Sequence, residues 1–426
     1  MAQSRTYTNI FNRIVLVAGL GYFVDVYDLV LFAVVRQESL RDLGVPEADI
    51  LDTGLFLLSV QMIGMLVGGF LWGMLGDKRG RLSTLFGAIA LYSVANIVNG
   101  FVTNVPFYAI VRFIAGVGLA GELGAGVTLV SETMPKNLRG YGITVVTSLG
   151  ILGAVFAEIV AQTFDWKIAY IAGGVAGLVL LGTQVLVAES GAFEKLKLTG
   201  VSRGDLRMLF FSRRRLKTYL QTVLIGIPVW YTIALLITIS PELSAEMGLR
   251  QTIDAGQMIA WNYGGAAIGG VFFGYLSERM RSRKWSLIIA LAFTAACMFL
   301  FVFSMGVTAA YLYGLSFAIG FGTGYWPVFF TTAAEQFGTN LRATVTTTAA
   351  NLVRGAVVPA TILFDVLVRF AGMSLLESTM IVGTIVMLLA LYGTRSIKET
   401  YGTEIDFVET DEAAPTPKAA AHAVGR

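Results

Sequence analysis

Charged residues, histidine and cysteine are scarce in this chain. Charged residues make up 14% of the 426 residues and hydrophobic ones 55%, whereas an ordinary soluble domain is roughly 25% charged. The single cysteine, Cys297, lies in an apolar stretch, so an intrachain disulfide is excluded. The single histidine, His422, lies in the polar C-terminal tail, which excludes a histidine-based metal site or proton relay in the apolar part. We expect no cofactor and no enzyme activity.

Long apolar segments are abundant instead. The mean hydropathy is +0.71, and segments longer than about 18 residues, the length that crosses a bilayer as a helix, recur along the chain. They predict an all-α membrane protein with twelve transmembrane helices. The predicted helices lie near residues 14–36, 51–76, 82–103, 105–130, 140–164, 167–188, 218–240, 252–277, 286–306, 308–333, 343–369 and 373–394.

Two short motifs each occur twice. Glu132-Thr-Met-Pro-Lys-Asn-Leu-Arg139 returns as Glu335-Gln-Phe-Gly-Thr-Asn-Leu-Arg342, and Gly73-Met-Leu-Gly-Asp77 returns as Gly274-Tyr-Leu-Ser-Glu278. Because many transporters consist of two similar halves, the repeats predict two pseudo-symmetric six-helix bundles. The expected domains are an N-terminal bundle over residues 1–189, a cytoplasmic linker loop over 190–217, a C-terminal bundle over 218–402 and a disordered cytoplasmic tail over 403–426.

Lysine and arginine are distributed unevenly between the predicted loops. Most of the 31 lie in segments that share one side with both termini. The positive-inside rule therefore places both termini in the cytoplasm. This topology accounts for the net charge of +3, so no nucleic-acid partner is expected. We predict a multi-pass monomer in a plasma membrane, the inner membrane of a bacterium.

Several motifs resemble those of a known transporter family. Gly73-Met-Leu-Gly-Asp-Lys-Arg-Gly-Arg81 looks like the signature loop of the major facilitator superfamily, and Arg112-Phe-Ile-Ala-Gly-Val-Gly118 resembles its helix 4 pattern. Glu399-Thr-Tyr-Gly402 is similar to the segment that follows the last helix of sugar porters and organic ion transporters. The resemblance implies two bundles that rock about a central cavity.

The acids and arginines of the repeated motifs are expected at the cytoplasmic ends of helices. Such groups can pair across the two bundles and hold the outward-open state. The alternative interpretation is a set of solvated loops. The predicted gate residues are Gly73, Asp77, Arg81, Glu132, Arg139, Glu278, Glu335 and Arg342.

Other charges lie inside predicted helices, where a lone charge costs at least about 2.5–3.5 kcal/mol. Asp25 and Asp28 are three residues apart and share one face of helix 1, and Glu122 lies in a glycine-rich part of helix 4. Burial and a nearby like charge favour the protonated form of a carboxyl, so these three acids are candidate proton carriers. The alternative is structural pairing. Arg112 either relays charge or braces the fold.

Arg354 is the basic counterpart in helix 11, near the middle of the membrane. Its planar guanidinium suits carboxylates and phosphates, and the alternative role is an ion pair with an acid of the first half. The segment from Tyr22 to Leu29 is similar to one in proton–phosphate symporters, and Arg354 follows Glu335 at the spacing of their anion-binding lysine. Helix 7 lacks the acid of those symporters, so an organic anion is favoured over phosphate.

The sequence thus predicts a proton-coupled importer of a small organic anion, in particular a carboxylate, that works by alternating access. The alternatives are an exporter or uniporter of an amphipathic solute, in which Arg354 is structural, and a non-transporting receptor. For the candidate cavity residues of the second half other than Arg354, packing or a position at the membrane interface is the favoured alternative interpretation. The predicted substrate contacts are Arg354, Trp230, Tyr231, Asn262, Tyr325 and Trp326, and the predicted proton-coupling residues are Asp25, Asp28, Glu122 and Arg112.

Overall fold

The computed structural model describes residues 10–135, 138–184, 206–249, 251, 253–403 and 407–409. Over these ranges the chain is helical and contains no strand. For a few helical residues, Arg81 among them, the description covers the backbone and not the side chain. Most of the predicted linker loop and of the predicted tail lies outside the described ranges.

Twelve long helices, some of them broken, make up the described part of the chain. Their bounds are α1 Arg13–Asp42, α2 Ile50–Arg79, α3 Arg81–Asn99, α4 Val105–Leu119 with Glu122–Thr133, α5 Arg139–Thr163, α6 Trp166–Gln184, α7 Arg213–Tyr231 with a π-helical turn Thr232–Ile237, α8 Ala255–Arg279, α9 Arg283–Val302, α10 Ala309–Thr323 with Trp326–Gln336, α11 Arg342–Gly355 with Val357–Arg369, and α12 Leu375–Ser396. Short helices cover Glu47–Asp49, Leu206–Phe210 and Ser240–Glu246.

Most of the helices have the length and apolarity that a membrane requires. Eight spans within the described ranges are long and apolar enough to cross a bilayer, and shorter apolar helices lie at Ser83–Asn99 and Trp166–Gly182. Polar side chains mark where several of them begin. Asn104 accepts a hydrogen bond from the backbone of Phe107 at the start of α4, and Ser374 forms a capping box at the start of α12. The start of each such helix is therefore encoded locally.

The packing repeats between the two halves. In the first bundle α2 packs along α4, and in the second bundle their counterparts α8 and α10 pack in the same way. Between the bundles α2 packs along α11 and α5 along α8, which again are equivalent pairs. The prediction of two pseudo-symmetric six-helix bundles is therefore confirmed. The residue numbers at which the domains begin and end stay a prediction.

Glycines bring equivalent helices together in both bundles. A Cβ at Gly64 or Gly68 of α2 would overlap backbone carbonyls of α4. A Cβ at Gly265 or Gly269 of α8 would overlap backbone carbonyls of α10 in the same way. Small residues four apart allow close backbone approach in lipid, where van der Waals packing replaces the hydrophobic driving force.

We predict that Gly269→Ala destabilises the protein and that Gly264→Ala does not. Alanine raises helix propensity by about 1 kcal/mol at either position. Residue 264 has open space around it, whereas the backbone of Phe321 occupies the space beside residue 269, and overpacking costs about 1–3 kcal/mol. Thermal unfolding in detergent should therefore give a lower Tm for Gly269→Ala and an equal or higher Tm for Gly264→Ala. Equal losses at both positions would contradict the proposed close contact.

Candidate functional site

Three helices break near the middle of the bundle. The breaks fall between Leu119 and Glu122 in α4, between Thr323 and Trp326 in α10, and at Ala356 in α11. A broken helix needs new partners for its backbone groups in a membrane. Asn351 of α11 donates from its side-chain nitrogen to the carbonyl oxygen of Ala120 at 2.8 Å. The break in the first bundle is thus stabilised by a side chain of the second.

A charge pair joins the two bundles beside these breaks. Arg354 is fully buried, and its Nη2 lies 3.4 Å from Oδ2 of Asp25 in α1. Its Nη1 donates to Asn351 at 3.3 Å, and its guanidinium lies 5.3 Å from the ring centre of Trp230. The other Asp25 oxygen and Nε of Arg354 have no hydrogen-bond partner among the described residues. The pair is therefore only partly satisfied.

A small aromatic cavity of about 20 Å³ lies next to this pair, which is enough space for about one water molecule. Trp326 donates from its ring nitrogen to the hydroxyl of Tyr22 at 3.1 Å across the two bundles. The residues that line the cavity are Tyr22, Val26, Ile151, Val229, Trp230, Ile233, Asn262, Tyr263, Ala266, Thr323 and Trp326. Arg354 is not among these residues. Its guanidinium contacts the ring of Trp230, which lines the cavity.

Polar atoms in the cavity wall are available for a ligand. The ring nitrogen of Trp230, Oδ1 of Asn262 and the hydroxyl of Tyr263 have no hydrogen-bond partner within the described ranges. Trp230, Asn262 and Trp326 are predicted cavity residues that the structure places in the wall. Tyr22 and Tyr263 were not predicted, because a tyrosine in a long apolar helix carries no sequence signal that separates a cavity position from a packed one.

Two predicted substrate contacts lie elsewhere. The hydroxyl of Tyr231 donates to the carbonyl oxygen of Thr379, and its ring lines a separate apolar pocket with Met298. The hydroxyl of Tyr325 donates to the carbonyl oxygen of Ile225 at 2.7 Å. Both tyrosines are thus held by backbone acceptors outside the aromatic cavity. The structure thus gives both tyrosines packing contacts between helices of the second bundle, and their role as substrate contacts stays a prediction.

A second polar cluster lies inside the first bundle. Arg112 donates to the side-chain oxygen of Gln61 and to the hydroxyl of Tyr170 at 3.4 Å. Its guanidinium also lies 4.8 Å from the ring centre of Phe32. Asp28 is fully buried, and its polar neighbours include Arg112 and Asn96. Asp28 therefore lies close to Arg112 without forming a direct ion pair.

Glu122 occupies a third position. It is the first residue of the second segment of α4 and is 2% exposed. Tyr92 of α3 is among its neighbours. A carboxylate at a helix N-terminus is stabilised by the helix dipole. Of the three predicted proton carriers, the structure brings Asp25 into contact with Arg354 and places Asp28 and Glu122 in other surroundings.

The predicted gate residues form buried contacts between the bundles. Glu335 of α10 lies 2.9 Å from Arg139 of α5 and 3.2 Å from Arg283 of α9. Arg342 of α11 lies 3.4 Å from Glu132 of α4. These carboxylates and guanidiniums are almost completely buried. The side of the molecule that carries them, the predicted cytoplasmic side, is therefore closed.

Further contacts complete this closure. Asp77 of α2 accepts from the backbone nitrogen of Thr344 at 2.8 Å and from its hydroxyl at 2.5 Å. A Cβ at Gly73 would lie 3.2 Å from the Cα of Thr344, so this glycine lets α2 pass close to α11. Glu278 pairs with Arg283 at 2.7 Å. Arg283 was not predicted, although it follows Glu278 much as Arg81 follows Asp77.

The segment after α12 adds to the same network. Arg139 donates to the carbonyl oxygen of Thr403 at 2.8 Å, and Glu399 accepts from Ser282 at 2.5 Å and from the backbone nitrogen of Arg283 at 2.9 Å. Partial burial acts to raise the pKa of Glu399, but these hydrogen bonds hold it below its usual value. Glu399 therefore stays ionised and caps the start of α9.

Comparison with known proteins identifies the family. Residues 18–361 match the sequence profile of the Major Facilitator Superfamily. The chain belongs to this superfamily. It is a multi-pass membrane transporter of small molecules, as predicted, and belongs to a family of transporters rather than of enzymes.

Relatives and solved structures agree with this assignment. The chain is 26% identical over 359 residues to the 3-(3-hydroxy-phenyl)propionate transporter of Escherichia coli, covering 82% of this chain and 85% of the relative. It is 32% identical over 178 residues to the niacin transporter NiaP of Acinetobacter baylyi, covering 41% and 40%. A crystal structure of a double-tryptophan mutant of XylE superimposes with a TM-score of 0.73 at 20% identity, covering 93% and 98%. That structure shows the same fold.

We predict that Glu335→Gln opens the predicted cytoplasmic side. The change removes the shared partner of two buried arginines, and breaking a buried pair costs about 3–5 kcal/mol. In a Cys297→Ser background, a cysteine at Thr347, where α11 packs against Gly124 of α4, should react at least about tenfold faster with an impermeant maleimide in vesicles that expose this side.

The matched control is Asp365→Asn, which also removes an acid that pairs with an arginine but at an exposed position. This variant should react at the parent rate. An unchanged rate in Glu335→Gln would contradict the role of Glu335 in closure.

Proposed function

We propose that this protein imports a small organic carboxylate together with a proton, by alternating access. The observation that carries the proposal is the buried pair between Asp25 and Arg354, which joins the two bundles beside the cavity. A guanidinium is permanently charged and binds carboxylates. An acid that already occupies it can be displaced by the carboxylate of a substrate, provided that the acid takes up a proton.

The cavity favours a carboxylate that carries a ring. Trp230 and Trp326 face it from the second bundle and Tyr22 from the first, and aromatic side chains prefer flat apolar partners. The relatives named for niacin and for 3-(3-hydroxy-phenyl)propionate, together with one named for benzoate, are named for ring-bearing acids. These names support the same substrate class for this chain.

Proton coupling follows from exchange at Arg354. In the empty cavity Asp25 is ionised and balances Arg354. When Asp25 takes up a proton from outside, Arg354 becomes free to bind the substrate carboxylate, and the loaded cavity keeps the same net charge as the empty one. The protein then changes conformation readily only when the proton and the substrate are both bound or both absent. Asp28 and Glu122 are further proton carriers in this proposal. The positive charge of Arg112 compensates the negative charge of Asp28 when Asp28 is ionised.

We also propose the orientation and the cellular location. The side closed by Glu335 faces the cytoplasm, as the positive-inside rule requires, so both termini are cytoplasmic and the membrane is a bacterial inner membrane. The domain ranges 1–189, 190–217, 218–402 and 403–426 stand as part of the same proposal. In the alternative, uniport or export without protons, the pair of Asp25 and Arg354 is structural and flux ignores a pH gradient.

We predict that Asp25→Asn separates substrate movement from proton movement. In proteoliposomes that contain a pH dye, external benzoate or nicotinate should acidify the interior faster with the parent protein than in protein-free liposomes, which report passive entry of the protonated acid. Phosphate and a sugar should give no such excess. Asp25→Asn should lose acidification at least about tenfold, because residue 25 no longer exchanges a proton. It should retain exchange of labelled benzoate for unlabelled benzoate. Arg354→Ala should lose both activities.

The control for this experiment is Asp365→Asn, which should keep full coupling. Monodisperse elution in detergent and an unchanged far-ultraviolet circular dichroism spectrum establish that each variant is folded, and Arg354→Lys, which keeps the charge, should retain partial exchange. Full acidification in Asp25→Asn or in Arg354→Ala would overturn the proposed exchange at Arg354.

We predict that Trp230→Leu weakens binding of ring-bearing acids more than of aliphatic ones. The change removes an aromatic wall of the cavity, and aromatic pairs contribute about 0.5–1.5 kcal/mol beyond their buried area. The apparent affinity for benzoate should therefore fall about 2–13-fold, and that for an aliphatic acid of similar size should fall less. Trp285→Leu, at an exposed tryptophan of α9, is the matched control. Equal losses for both acids would argue against a ring-binding wall.

A further inference from the structure

An arginine at the other end of the molecule also joins the two bundles. Arg36, near the end of α1, lies with its Nη2 2.8 Å from Oε1 of Glu242 in the short helix Ser240–Glu246. The same Nη2 lies 3.3 Å from the carbonyl oxygen of Thr238, to which it donates. The Arg36 side chain is 1% exposed and that of Glu242 is 20% exposed. This pair therefore lies at the edge of the predicted outer side, with the arginine inside.

The surrounding structure accommodates the arginine specifically. A Cβ at Gly54 of α2 would lie 2.6 Å from Cδ of Arg36 and 3.0 Å from its Cγ. The absence of a side chain at this position leaves the space in which the arginine crosses α2 toward the second bundle. The residue at 54 thus determines whether Arg36 can reach Glu242.

The partner helix is attached firmly to the second bundle. Glu246, one turn after Glu242, accepts from the backbone nitrogens of Leu375 at 2.9 Å and Leu376 at 3.3 Å, at the start of α12. The helix also follows the π-helical turn Thr232–Ile237, which begins directly after the cavity segment of α7. Turns of this kind are common at functional sites. When the bundles separate at this end, the contact between Arg36 and Glu242 must break.

The pair is weaker than the closure on the predicted cytoplasmic side. Nε and Nη1 of Arg36 have no hydrogen-bond partner among the described residues, whereas Glu335 holds two arginines at once. A second ion pair on the outer side, between Asp52 and Arg369, is about half exposed, and exposed pairs contribute little. A single, partly satisfied buried pair suits an entrance that must open and close in each cycle.

We propose that Arg36 and Glu242 form the latch that closes the outer entrance to the cavity, with Gly54 providing the space for Arg36. The latch rests on alternating access, and it is independent of which anion is carried and of whether a proton accompanies it. Its loss leaves the cavity open to the outside for longer. Its function is therefore measured by access to the cavity, without any transport assay.

The test uses a cysteine at Ala266, a cavity residue of α8, in a Cys297→Ser background. Labelling by an impermeant maleimide from the outer side of right-side-out vesicles should be slow in the parent. Arg36→Ala and Glu242→Gln should each label at least about tenfold faster. Gly54→Ala, which keeps both charges, should also label faster. The exchanged pair Arg36→Glu with Glu242→Arg should restore slow labelling.

The matched control is the exposed outer pair. Asp52→Asn and Arg369→Ala should leave the labelling rate within about twofold of the parent. Parent-like labelling in Arg36→Ala and Glu242→Gln, or fast labelling in the exchanged pair with intact folding, would overturn the latch. Failure of proton-driven uptake in the parent, by contrast, would overturn the proposed transport mode and leave the labelling result to decide the latch.

Discussion

Charges buried between two apolar bundles are the constraint on which this protein depends. A lone charge in a membrane interior is expensive, so each buried ionic group must face a partner or lose its charge. At the centre this partner comes from the opposite bundle, since Arg354 faces Asp25. Any movement that separates the bundles must therefore either bring another anion to the arginine or neutralise the acid. Because an unpaired buried charge is costly, the arrival of an anion at Arg354 and the separation of the bundles are linked.

The same constraint explains why the polar groups are distributed in layers. Ion pairs lie at both ends and one lies in the middle, and the helices between these layers are held by glycines and apolar side chains. Close glycine contacts hold helices together within each bundle, as between α2 and α4 and between α8 and α10. Glycines also meet the other bundle, as Gly73 does at Thr344. Separation of the bundles would therefore break close backbone packing as well as ion pairs.

The sequence predicted the architecture well and the cavity only in part. Hydropathy predicts the twelve helices. Motifs that are local in the chain predict the internal repeat and the ion pairs at the cytoplasmic ends of the helices. Trp230 and Asn262 were predicted in the cavity, but Tyr231 is turned away toward Thr379. Neighbouring residues in a helix point about 100° apart, and a helix buried on all sides has no polar face that reveals its orientation. Which face meets the cavity depends on packing between distant helices.

One carboxylate on the predicted cytoplasmic side shows how such a gate avoids a high barrier. Glu335 is shared by Arg139 from the first bundle and Arg283 from its own. If the bundles part at this contact, Glu335 can keep Arg283, so this carboxylate is not left without a cation. Arg139 would then lose both acceptors that it has on the second bundle, Glu335 and the carbonyl oxygen of Thr403. The cost of opening this contact therefore falls on a cation, which water on the open side can solvate, and not on the carboxylate of Glu335.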